Sequence, residues 1–178
     1  MRHVSDQFLL NISEVSAALV GLFLVGMFLY VETGFRRVAH AEVVQPYFRA
    51  STRIVLILYA LCIGVSLALV VLELPWARVL FAVLSVMLVV ANVDTARRSR
   101  GFIAATRSVL FAMTEIVGTI GVVILVVVPW ALGGLHPTRQ DLTWAILLSF
   151  GLGFISICAA ALSAFEFASA EQSDEPMT

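Results

Sequence analysis

Between Arg107 and Trp130 the sequence reads SVLFAMTEIVGTIGVVILVVVP, and Glu115 is its one ionisable side chain. A run this long and apolar is satisfied as a helix across a bilayer, because hydrocarbon offers backbone amides no partner outside their own helix. At ~1.5 Å rise per residue Glu115 stands ~12 Å from Arg107, inside a slab ~30 Å thick. A carboxylate there costs about 2.5–3.5 kcal/mol unless it is paired, protonated or wetted. The rest of the chain is constrained by what could offset that cost.

The same pattern recurs. Of 178 residues, 61% are hydrophobic and 13% charged, against about 45–50% and about 25% in a soluble domain. The apolar residues fall in blocks near 8–30, 53–72, 77–94, 107–130 and 142–168. The expected fold is all-α: a polytopic integral membrane protein with a five-helix transmembrane bundle, one domain over 1–168 and a disordered acidic tail over 169–178. The segment MRHVSDQF is a poor secretory leader, so the first block is expected to be retained as a span. Pro46 is expected to break the first connection, Glu73 to Trp76 to form a tight turn, and Pro129-Trp130 to stop the fourth span.

Charge sets the expected sidedness. Arg36, Arg37, Arg49 and Arg53 flank the first connection, and Arg97, Arg98, Arg100 and Arg107 the third. Arg78 and Arg139 are the basic residues of the second and fourth. The Arg-rich connections belong on the cytoplasmic side, which puts the N-terminus outside and the C-terminus inside a cell (plasma) inner membrane. Trp76, Trp130 and Trp144 then fall at the outer interface. The Arg-rich connections also suit anionic lipid headgroups. Every basic residue apart from histidine is arginine, a bias that a GC-rich genome would give and that selection for phosphate-binding forks would give as well. With net charge −1 the chain has no polycationic pull toward nucleic acid.

Small residues mark the expected packing faces. Spacing of 100° per residue puts Glu14, Ala18, Gly21, Val25, Phe28 and Glu32 on one face of the first span. That face reads either as a polar seam along a path or as a helix contact with acids at its ends. Ser149, Gly153, Ser156, Ala160 and Ser163 form a second stripe on the last span, and Gly118 lies beside Glu115 on the fourth. Gly21, Gly118, Gly153 and Ser156 are therefore the packing candidates, since small residues let helix backbones approach.

The candidate polar site gathers near the inner ends of the spans: Glu115, Arg107, Arg53, Asp94, Asn92 and Glu32. Arg53 and Arg107 are the candidate partners of Glu115. The group reads either as ion pairs pinning the bundle or as a vestibule ending at Glu115. Enzyme signatures are absent: the chain has no phosphate loop, no HExxH and no nucleophile elbow. Cys62 and Cys158 read as small buried hydrophobes. They lack the neighbours a metal or redox motif needs, so no cofactor and no metal are expected. The function expected is that of a small non-catalytic membrane protein, an accessory or interaction partner, with a protein partner or a second copy of itself. The alternative is a proton or cation channel, or a small transporter, using Glu115.

Overall fold

The computed structural model describes the backbone of residues 4–33, 41–106, 109–134 and 136–173, and side chains over 4–29, 51–97, 116–134 and 136–159. Five helices are present among the described residues: α1 (Asp6–Thr33), α2 (Ala41–Val71), α3 (Leu74–Thr106), α4 (Val109–Gly133) and α5 (Arg139–Ser173). Each contains a segment long and apolar enough to cross a membrane. The chain is an all-α bundle of the multi-pass membrane type.

The helix ends have local causes. Ser5 begins α1, its Oγ accepting the Phe8 N–H at 3.2 Å, and Asp6 in the first turn suits the helix dipole. Only Leu72 and Glu73 separate α2 from α3. The Glu73 carbonyl accepts from the N–H groups of both Trp76 and Ala77, at 3.0 and 3.4 Å. Pro75 sits in the first turn, where no amide partner is required. The span expected from 77 therefore starts at Leu74. Helix α5 opens on a capping box. The Thr138 amide and hydroxyl both donate to Asp141 Oδ2, at 2.8 and 2.7 Å, and the Asp141 N–H donates back to Thr138 Oγ1 at 3.4 Å.

Several expected boundaries are corrected. Pro46 does not break the chain, because α2 already runs from Ala41. Pro129 does not stop α4, which continues four residues past it to Gly133. Within a bundle, neighbouring groups satisfy the backbone that a proline frees. The stop comes at Gly134, whose φ of 59° is the left-handed helix terminator that glycine adopts without strain. Helix α3 does not end at Asp94 but carries Arg97, Arg98 and Arg100 on to Thr106. Helix α5 reaches Ser173, five residues into the stretch expected to be a disordered tail.

Helices α2, α3, α4 and α5 close a ring, each packed on the next and α5 back on α2. Its core joins Leu58, Leu61 and Val65 of α2 to Phe81 and Leu88 of α3, Leu125 of α4, and Leu142 and Ile146 of α5. Helix α1 lies outside this ring. It packs along α2, touches α5 marginally and meets neither α3 nor α4 among the described residues.

Candidate functional site

Of the polar group expected near the inner ends of the spans, the α2–α3 hairpin brings Arg53 and Asp94 together. Arg53 lies near the start of the membrane-capable segment of α2 and Asp94 near the end of that of α3. Their charged groups are 3.8 Å apart, with side chains 66% and 38% exposed. At such exposure the pair contributes about 0–1 kcal/mol. Asn92 is half-buried near the Asp94 level. The side chains of Glu115 and Glu32, and Arg107 altogether, lie outside the described residues, and with them the expected pairing of Glu115 to Arg53 or Arg107.

The small-residue faces of α1 and α5 behave oppositely. On α5, Gly153 is buried and faces Tyr59 of α2, where a Cβ would meet the ring at 2.9 Å. Ser149 on the same face donates to the Leu58 carbonyl at 2.9 Å. The Cys62 thiol returns a hydrogen bond to the Ile146 carbonyl at 3.4 Å. The Ser16 hydroxyl of α1 lies beside the same thiol. Ser156 is half-buried, and Cys158, expected to be buried, is exposed.

On α1 the face expected to line a path or to make a helix contact points out of the bundle. Glu14, Ala18, Gly21, Val25 and Phe28 are all exposed, and a Cβ on Gly21 would meet nothing within 4 Å. Gly118 of α4 has the same open surroundings. The buried face of α1 is the one carrying Leu9, Ser13 and Ser16. The outward seam extends one step further than expected, to Asn11, which is also exposed. Positions 11, 14, 18, 21, 25 and 28 alternate steps of three and four, the a/d spacing of a coiled-coil seam. That spacing was the signal available for Asn11.

The depth of this seam matters. Asp6 lies at the end of the bundle formed by the α2–α3 link and the α4–α5 loop, because Arg139 at the start of α5 forms an ion pair with it. Arg78 Nε donates to the Pro137 carbonyl at 2.9 Å at the same end. Trp76, Trp130 and Trp144 all fall within two turns of this end, and Trp130 packs against Phe81 with ring centroids 6.3 Å apart. Glu14 is eight residues below Asp6, ~12 Å along the helix. Its carboxyl group is exposed on the outside of the molecule. The outer faces of α3 and α4 differ in kind, with Val83, Val86 and Val90 exposed on one and Ile116, Ile120 and Val123 on the other.

Among the described residues no three metal-ligating side chains converge. No protein-family model matches the chain, and neither the curated proteins nor the solved structures give a match.

Proposed function

We propose that this chain is a non-catalytic multi-pass membrane protein that works by lateral association, with the outward seam of α1 as its contact surface. The carrying observation is Glu14, exposed beside Asn11 on an apolar helix of bilayer length, with Ala18 and Gly21 following on the same face. Lipid satisfies neither polar group, and a protein helix satisfies both while filling the notch at Gly21. The ring of α2 to α5 closes without α1, which packs on α2 through the face carrying Leu9, Ser13 and Ser16 and keeps its opposite face for the contact.

The proposed topology puts the end bearing Asp6, Arg139 and the tryptophans outside and the Arg-rich ends of α2 and α3 in the cytoplasm, against anionic headgroups. The alternative, a proton or cation pathway through Glu115, needs a wetted route to that acid, and no observation among the described residues favours it.

The test is photo-crosslinking in native membranes from a probe at Val25. A discrete protein adduct, of this chain or another, is the expected result. Adducts with lipid alone overturn the reading.

A further inference from the structure

We propose that the contact between α1 and α2 encloses a bound water molecule, held by the hydroxyls of Ser16 and Ser66 and bordered by Ser13 and the Cys62 thiol. The site stands apart from the outward face of α1 and from whatever covers that face.

It begins with two hydroxyls that have no partner. Ser16 and Ser66 are fully buried, and neither Oγ has a hydrogen bond among the described residues. A buried hydroxyl left so costs about 1–3 kcal/mol, and hydrocarbon offers nothing to relieve it. The usual remedy inside a helix is a bond to the carbonyl four residues back. Thr95 and Thr143 take it, each at 2.8 Å, to Ala91 and Arg139. Ser16 and Ser66 do not, so their oxygens are left for a partner from outside their own helices.

Register brings the two together. Helix α1 starts at the end of the bundle where α2 stops, because Asp6 pairs there with Arg139, so the two helices run antiparallel. Ser16 lies beside the Cys62 thiol. One turn toward that end is a step down in number on α1, to Ser13, and a step up on α2, to Ser66. Ser13 is buried as well. The contact therefore holds two successive polar layers, Ser16 with Cys62 and Ser13 with Ser66, about 5.4 Å apart. That is close to twice the ~2.7 Å of an O–H···O bond, so one water between the layers reaches a hydroxyl of each. A buried water takes about three polar partners. The hydroxyls of Ser16, Ser66 and Ser13 supply them, with the Cys62 sulfur as a weak further acceptor. All four side chains end at the γ atom, the shortest that carry a polar group.

Ser85 marks the difference. Its Oγ is also buried without a partner among the described residues. Its neighbours along the same face of α3 are Phe81 and Leu88, both in the apolar core, and one hydroxyl alone does not hold a water.

The experiment is X-ray radiolytic labelling of the full-length chain in proteoliposomes, read by mass spectrometry of its peptides. Hydroxyl radicals formed from a bound water oxidise the side chains that touch it, out of reach of scavengers in the bulk. Cys62 is expected to be oxidised in the folded chain at a rate that a bulk scavenger does not lower. The rate is expected to fall severalfold in Ser16→Ala and in Ser66→Ala. The same two variants lower the unfolding midpoint in mixed micelles, because each removes a bond to the water and strands the other hydroxyl. Ser85→Ala leaves the midpoint unchanged or raises it. Oxidation of Cys62 that is absent, scavenger-sensitive or indifferent to the two serines overturns the inference. So does a midpoint that Ser16→Ala and Ser66→Ala leave unchanged or raise, which is the response of two dry hydroxyls.

Discussion

The Tyr59 ring occupies the space that a side chain at Gly153 would need. A Cβ at Gly153 would stand 2.9 Å from Tyr59 Cε2 and 3.0 Å from Cζ. Tyr59 is fully buried, and its ring also meets Phe150 edge-on, with centroids 6.2 Å apart. Two hydrogen bonds flank this contact and run in opposite directions between α2 and α5. In a bilayer, where apolar burial between helices adds little, such packing and hydrogen bonding hold a helix pair together.

Gly153→Leu is expected to destabilise the bundle by about 1–3 kcal/mol, the usual range for overpacking a filled core. The Tyr59 ring is rigid and enclosed and cannot withdraw. Reversible unfolding in mixed micelles measures the loss. Unchanged stability would mean that α2 and α5 can separate without penalty.

Tyr59→Phe should behave differently. The Tyr59 hydroxyl is buried with no hydrogen-bond partner among the described residues. Removing a buried, unsatisfied hydroxyl is neutral or stabilising, by up to about 1–3 kcal/mol. Ser149→Ala, which deletes a made bond to Leu58, is destabilising by roughly 0.6–2 kcal/mol. The same micelle assay separates the signs, and equal losses in the two variants would contradict this account.

The capping box at α5 gives a local readout. Asp141→Ala removes the acceptor of two Thr138 hydrogen bonds and is expected to cost about 1 kcal/mol. Faster hydrogen exchange should be confined to the first turn of α5. Asp6→Asn removes the exposed pair with Arg139 and the acid in the first turn of α1, and should cost about 1 kcal/mol, less at high salt.

Sidedness is checked with a membrane-impermeant thiol reagent on intact cells. Glu73→Cys, at the α2–α3 link, should label directly. Arg97→Cys should label only after permeabilisation. The reverse pattern would invert the proposed topology and with it the assignment of the Arg-rich ends.

If lateral contact is the function, proton and cation flux in proteoliposomes should match protein-free vesicles and be the same for the parent and Glu115→Gln. Flux that depends on Glu115 would move the chain to the channel or transporter reading.

The number of spans was legible because apolar blocks of bilayer length admit only one backbone solution. Their ends were not. Pro46 and Pro129 look like breaks by the rules for water-soluble helices, yet both lie inside helices here. The residues after Asp94 look like a polar connection, yet Thr95 back-bonds to the Ala91 carbonyl at 2.8 Å and the helix carries on. The two small-residue stripes are the sharper lesson. Periodicity shows that Ala18 and Gly21 share a face, as do Ser149 and Gly153. It cannot say which face meets the bundle when the opposite face is equally apolar. Only the arrangement of the helices places the α5 stripe inward and the α1 stripe outward. The inner polar group was legible in part: Arg53 and Asp94 meet because a two-residue link forces antiparallel register, whereas Glu115 depends on helices that no short link aligns.

That two-residue link has a mechanical consequence. Helices α2 and α3 run 31 and 33 residues, ~46 and ~50 Å, well beyond ~30 Å of hydrocarbon. They are joined at one end, so a tilt of the pair as one body would swing a short arm at the link and a long arm past Arg53 and Asp94. A tilt of roughly 10° about the bilayer midplane would carry the far tip about 6 Å sideways. By that geometry a small rearrangement near the tryptophan-bearing end would be magnified at the arginine-bearing end.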